Sequence, residues 1–233
     1  MIKSLIFYFL MNKNIAPTAL RCIMRLHNLL YDFSGLLAIV VNSGKHPKHQ
    51  LLRYQEWFHE NIHSDWVVID VGANTGSMAN LMATKARHVY GIEIVPELVE
   101  VARKNYDVEN LQFLNGDAIS FDYASCQSID CVTLSNVLEH IESRGVFIHN
   151  LLKHVPWRDP SKCCFLIRVP TIERDWLTLY KQKLGVEYRL DRTHQIEYTR
   201  DIFFKELGDA GLKIISFDVR FGEFYAVCYG NFE

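Results

Sequence analysis

The sequence predicts an α/β domain: a doubly wound, seven-stranded, mostly parallel sheet ending in a C-terminal antiparallel hairpin. Three observations carry this. Short apolar runs alternate with helical segments from Trp66 to Arg168, the pattern of parallel strands joined by right-handed crossovers. The first run, Val67-Val68-Ile69-Asp70-Val71, is continuous rather than alternating, as in a strand buried on both faces. The last two runs, Leu212–Val219 and Phe224–Tyr229, are separated only by Arg220-Phe221-Gly222-Glu223, a gap that permits only a hairpin.

Residues 1–50 read as an N-terminal helical extension and residues 51–233 as the main domain. Met1 to Met11 has one lysine and then an apolar run, like a short signal core without a clean cleavage site, and it is too short to span a bilayer. Two readings fit residues 1–42: helices that cap the domain, or an amphipathic segment making peripheral contact with a membrane surface. A helix is expected from His46 to about Ile62, with Pro47 in its first turn. Strands follow at Trp66–Val71, His88–Glu93, Leu111–Leu114, Ile129–Leu134 and Cys163–Arg168. Helices are expected at about Gly76–Lys85, Pro96–Lys104, Val137–Lys153 and Thr199–Ala210. Thr199 suits the last as N-cap and Gly211 as its stop.

Composition narrows the class. The chain has 233 residues, 49% apolar and 22% charged, ordinary values for a globular protein with a sizeable core. Its formal net charge is −2, so no overall basic field implies a polyanion, and nucleic acid is not expected as a partner. The six cysteines form no C-x-x-C pair and read as reduced core thiols of a cytoplasmic protein. No metal is expected. His46, His49, His59 and His63 are spaced like one helix face, where a metal site is the less expected reading.

The chemistry gathers at strand ends. Asp70-Val71-Gly72-Ala73-Asn74-Thr75-Gly76 turns the first strand into a helix, and ligands bind there in doubly wound sheets. A dinucleotide site needs G-x-G-x-x-G, but this chain offers Gly72, Asn74 and Ser77. Asp70 would also repel a pyrophosphate, so a cationic ligand fits better. Glu93 ends the second strand 23 residues after Asp70, placed to accept both hydroxyls of a ribose. Gly116-Asp117-Ala118 follows the third strand and Ser135-Asn136-Val137-Leu138-Glu139-His140 the fourth.

With these four signals in order, residues from about 55 to 229 resemble the class I S-adenosylmethionine-dependent methyltransferases, which have a Rossmann-like fold. The resemblance is especially to the small-molecule branch that includes the ubiquinone-biosynthesis O-methyltransferases. The resemblance implies S-adenosylmethionine as cofactor. It places the loop Asp70, Gly72, Asn74 and Gly76 under the methionine moiety, Glu93 with neighbouring Ile94 on the ribose, Asp117 and Ala118 near adenine, and Asn136 beside the methyl group. One departure is Asn74, which stands where the family usually has its middle glycine.

Methyl transfer from a sulfonium needs proximity and orientation, and a hydroxyl acceptor also needs a base. The segment 169–198 is long for a connection and rich in Arg, His, Asp and aromatics. It is expected to be an acceptor-binding insertion, with His194 as general base, aided by Asp191 or Glu197. Arg168, Arg174, Tyr188, Arg189, Arg192 and His140 are the candidate acceptor contacts, against the plainer reading that such arginines form surface ion pairs. No [DNS]-P-P-[FYW] follows the fourth strand, and the nearest approach to a Pro-Cys nucleophile is Val155-Pro156-Trp157. These absences disfavour amide, exocyclic-base and cytosine-C5 methylation. The expected acceptor is therefore a hydroxyl of a small molecule, sugar or lipid precursor. N- or C-methylation of a small metabolite, a non-catalytic cofactor-binding subunit and an NAD-dependent enzyme are the alternatives.

Overall fold

The computed structural model describes residues 12–231, so the apolar run Met1 to Met11 lies outside the described residues. Helices α1 (Ala16–Val41), α2 (Pro47–Leu52) and α3 (Tyr54–Glu60) precede the sheet. Strands β1 (Val67–Val71), β2 (His88–Glu93) and β3 (Leu111–Asn115) follow, with α4 (Ser77–Ala83) and α5 (Pro96–Asn105) between them. Next come β4 (Cys131–Ser135), α6 (Arg144–His154) and β5 (Cys164–Pro170). Helices α7 (Trp176–Lys183) and α8 (Arg200–Asp209) lead to the hairpin β6 (Leu212–Arg220) and β7 (Glu223–Gly230).

The seven strands form one sheet in the order β3-β2-β1-β4-β5-β7-β6. The first five pair in parallel, and β7 runs antiparallel between β5 and β6, as the hairpin reading requires. The chain winds outward from β1 to β3 and then returns to β4 on the other side of β1. The switch point therefore lies between the carboxyl ends of β1 and β4, where a crevice opens in such sheets.

All five residues of β1 are buried. Ile69 and Val71 face one core with Val132, Leu134, Phe147 and Phe203. Val68 faces the other with Phe58, Ala79, Met82, Val89 and Tyr225. This two-sided burial explains the continuous apolar run, and each fully buried Val, Ile or Phe contributes about 1.5–3 kcal/mol.

Two expected helices are cut short. Arg53 takes a left-handed φ of 48°, so the His46–Ile62 segment forms α2 and α3 instead of one helix. His46, His49, His59 and His63 consequently share no continuous helical face. The segment from Val137 is not yet α-helix: a single 3₁₀ turn, Leu138–His140, comes first and α6 starts only at Arg144. Asn136 at φ 55° begins that turn, and Arg144 donates back to the Ile141 carbonyl at 3.0 Å. The 3₁₀ turn buries Glu139 completely and leaves His140 exposed.

The chain divides into two units. One contains the described residues up to Leu52 together with Ile172–Arg189; the other contains Arg53–Thr171 and residues 190–231. Within the first, Arg21 donates to the Leu184 carbonyl at 3.1 Å and Asn28 to the Glu187 carbonyl at 2.7 Å. These bonds tie the start of the chain to a segment more than 150 residues away. Helix α1 spans 26 residues and buries only Met24. Among the described residues no helix is long and apolar enough to cross a membrane. Five of the six cysteines are buried and all six are free thiols.

Candidate active site

The second unit contains every residue expected to hold the cofactor. Loop geometry comes first. Gly72 and Gly76 have φ of 72° and 85°, a region that L side chains rarely adopt. A Cβ on Gly76 would lie 2.5 Å from the Phe113 ring. Asn74, the departure from the family pattern, also takes positive φ, at 50°. Asparagine is one of the few residues with a side chain that visits this region readily, and its Oδ1 accepts from Thr75 N–H at 2.7 Å. The loop thus turns without its middle glycine.

Glu93 is 7% exposed. Its Oε2 accepts from Asn74 N–H at 2.9 Å and its Oε1 from Val95 N–H at 3.0 Å. A carboxylate has about four acceptor positions, so two remain for the hydroxyls of a ribose. Beside it Ile94 is 60% exposed, an apolar surface suited to an adenine face. Asp117 Oδ1 caps its own turn by accepting from Ile119 N–H at 2.9 Å. The Ala118 carbonyl is held by the Tyr123 hydroxyl at 2.8 Å.

Two buried polar atoms at the switch point have no hydrogen-bond partner among the described residues: Asp70 Oδ2 and Asn136 Oδ1. Asp70 Oδ1 accepts from the Thr133 hydroxyl at 2.8 Å. Burial pushes the Asp70 carboxyl up to about 7, against the Thr133 hydrogen bond and with help from Glu93. A buried acid with one oxygen unmet is costly alone and favours a cationic group of a ligand. The strained glycine cradle, the ribose-ready carboxylate and these two unmet atoms fit S-adenosylmethionine.

On the acceptor side, loop 190–198 is drawn onto the 3₁₀ turn. Gln195 N–H donates to the Glu139 carbonyl at 2.7 Å, and the Thr193 hydroxyl lies 3.1 Å from His140 Nδ1. At the far end the Thr171 hydroxyl donates to the Tyr198 carbonyl at 2.6 Å. These bonds bring His194 to His140, ring centroids 4.8 Å apart and nearly perpendicular. His194 is buried, and its Nδ1 lies 3.5 Å from Glu197 Oε1. Glu197 Oε1 also accepts from Leu190 N–H. Of the two carboxylates expected to aid His194, Glu197 is therefore the one beside the imidazole. Asp191 instead caps a turn: its Oδ1 accepts from the Thr193 N–H and hydroxyl, both at 2.8 Å, and these bonds hold its carboxyl below the usual range.

The candidate acceptor contacts fare unevenly. Arg168 is a correction. Its side chain is 7% exposed, donating to both Glu223 oxygens at 2.6 and 3.1 Å and to Ser135 Oγ at 3.1 Å. The Tyr54 ring lies 4.0 Å from its guanidinium. A guanidinium committed on these sides fastens β5 to β7 and is not presented to an acceptor. Arg174, Tyr188 and Arg189 belong to the first unit. There Arg174 donates to the Tyr188 carbonyl, and Arg189 pairs with Glu187 at 2.9 Å, holding that carboxyl down to about 2. Arg192 is exposed in the second unit, and the His140 ring is held less basic than usual by partial burial and by His194.

Sequence reasoning passed over Glu139. Its carboxyl is buried with neither oxygen hydrogen-bonded to another described residue, and burial raises it to about 8. The available signal was an acid one residue after a leucine and one before a histidine at a strand end; only the 3₁₀ turn reveals that it points inward.

A family model described as a methyltransferase domain matches residues 69–156, the stretch from the middle of β1 to just beyond α6. The chain is similar to an uncharacterized RNA methyltransferase of Oceanobacillus iheyensis, 34% identical over 99 residues, covering 39% of this chain and 22% of the relative. It is also similar to a probable ribosomal RNA small subunit methyltransferase A of Thermococcus onnurineus, 35% identical over 81 residues, covering 35% and 28%. The chain thus spans less than a third of the length of these curated relatives. Among solved structures, magnesium protoporphyrin IX methyltransferase from Synechocystis, with bound SAH, superposes with a TM-score of 0.58 at 18% identity, covering 78% of this chain and 83% of that one. At that identity the likeness is one of fold.

Residues 69–156 thus match a methyltransferase domain, and the chain shares the fold of a solved methyltransferase. The names of the relatives correct one expectation. Nucleic acid was set aside on net charge, yet the curated relatives are named as RNA methyltransferases. A formal charge of −2 is a sum over the whole chain and does not decide what a cofactor domain of this kind serves.

Proposed function

We propose that this protein transfers a methyl group from S-adenosylmethionine to a hydroxyl of its acceptor, with His194 taking the proton. The observation that carries this reading is the buried His194–Glu197 pair, Nδ1 to Oε1 3.5 Å, on a loop bonded to the turn that follows the cofactor strand β4. A carboxylate 3.5 Å from Nδ1 stabilises the imidazolium that forms when His194 takes up a proton. S-adenosylmethionine supplies the activated methyl on its sulfonium. The chain's own residues align the two reactants and move the proton. The strand-end motifs, similar to those of the ubiquinone-biosynthesis O-methyltransferases, support a small-molecule, sugar or lipid-precursor hydroxyl as acceptor. The names of the curated relatives favour a second reading, in which the hydroxyl belongs to RNA.

The test is a tritiated-methyl transfer assay on two acceptor panels, small hydroxyl compounds and total RNA, with wild type and His194→Gln. Product on either panel, reduced at least about 100-fold in kcat by the substitution while cofactor binding is kept, is expected. Turnover unaffected by His194→Gln, or methyl recovered only on nitrogen or carbon, would overturn the reading.

A further inference from the structure

One cluster near the site is not accounted for by binding the cofactor. Glu139, His140 and His194 each present a ligand atom, and these atoms all lie within 4.8 Å of one another. A carboxylate and two imidazoles at such spacing need only small side-chain rotations to reach the roughly 3 Å ligand separations around a metal with bonds of about 2.0–2.2 Å. The cluster is more than a chance gathering of polar groups, because Glu139 is completely buried and both its oxygens lack a donor on any other described residue. A buried carboxylate left this way costs several kcal/mol or stays protonated; a cation removes the cost.

The surroundings match a metal site's outer shell. Metal-binding imidazoles commonly hold a carboxylate or hydroxyl on their second nitrogen, which fixes the ring. His194 has Glu197 Oε1 3.5 Å from Nδ1, and His140 has the Thr193 hydroxyl 3.1 Å from Nδ1. The Thr193 contact on Nδ1 leaves His140 to bind an ion through Nε2. Thr193 is in turn fixed by Asp191, which gives that residue a task one step removed from the ion.

We infer that Glu139, His140 and His194 bind one divalent transition-metal ion beside the cofactor site. The donor set decides the kind of ion. Two imidazoles and one carboxylate suit zinc, cobalt, manganese or ferrous iron, whereas magnesium and calcium prefer oxygen alone. Three protein ligands leave coordination positions open, as catalytic sites require. Residue spacing alone does not reveal this set, since the three ligands come from two segments more than 50 residues apart.

This inference rests on the hydroxyl-transfer reading only for what the ion would do there. A hydroxyl bound to it would lose its proton more readily, and His194 would then promote proton removal through the ion it holds. Binding itself is tested without cofactor or acceptor, so the two readings fail separately. The full chain is stripped with a chelator and titrated with cobalt(II), followed by its visible absorption, and then with zinc(II) in competition. One equivalent per chain is expected, displaced by zinc and not by a hundredfold excess of magnesium. Glu139→Gln and, separately, His140→Gln at the exposed ligand should each weaken binding at least tenfold, while His49→Gln leaves it unchanged. Absence of stoichiometric cobalt or zinc binding by folded wild-type protein would overturn the inference. So would binding that both ligand substitutions leave intact.

Discussion

The backbone N–H of Asn74 donates to Glu93 Oε2 at 2.9 Å, joining the glycine loop after β1 to the end of β2. One carboxylate thus shapes the loop and faces the ribose position. Glu93→Ala removes both tasks. Hydrogen bonds to a charged group are worth about 1.5–3 kcal/mol, so S-adenosylmethionine and S-adenosylhomocysteine should each bind at least about tenfold more weakly by isothermal titration. Equal affinity in the variant would mean that Glu93 serves the loop alone.

Gly76 closes the same loop at φ 85°, and a Cβ there would meet Phe113 at 2.5 Å and Ala102 at 3.0 Å. Gly76→Ala therefore carries both backbone strain and overpacking. A loss of about 1–3 kcal/mol is expected in urea unfolding, with cofactor affinity falling as well. Gly145→Ala, where an added Cβ meets nothing within 4 Å, is the control that should change little.

Asp70 sets a pH dependence. Its folded-state pKa is raised from 3.8 to about 7, mainly by burial. Between these values the native chain holds a proton that the unfolded chain has released, so this contribution to stability is present at low pH and fades as pH rises toward 7. Asp70→Asn abolishes it. The melting temperature of wild type relative to Asp70→Asn should fall from pH 4.5 to pH 7.5 in the ligand-free protein. A difference that stays constant with pH would show Asp70 to be ionised throughout.

Arg168 and Glu223 form a buried pair with a 2.6 Å contact. Removing either partner strands a charge, at a cost of about 3–5 kcal/mol. Denaturant melts should show Arg168→Met and Glu223→Leu each strongly destabilised and the double variant recovering most of the loss. Acceptor affinity should not change beyond what the lost stability explains.

Much of this molecule was legible in the chain. The continuous run of β1, the hairpin gap and the Thr199 cap, which accepts from Ile202 N–H at 3.3 Å, are local signals. Local sterics and strict strand periodicity carry them without help from distant residues. The residues expected to hold the cofactor could be grouped for the same reason: a doubly wound sheet delivers the ends of successive strands to one edge, so order along the chain fixes place. Even Asn74 conforms, because its own side chain tolerates the left-handed turn.

What the sequence by itself determined is therefore the sheet, its winding and which strand ends meet at the switch point, all set by short-range pattern and connection length. Only the tertiary structure decided the rest. A charged residue in a loop reads the same whether it meets solvent or a buried partner. It took the pairing of β5 with β7 to commit Arg168 to Glu223. It took a left-handed Asn136 and the Gln195–Glu139 bond to turn Glu139 inward and set it beside two histidines. Those contacts join residues far apart in the chain, and no local periodicity encodes them.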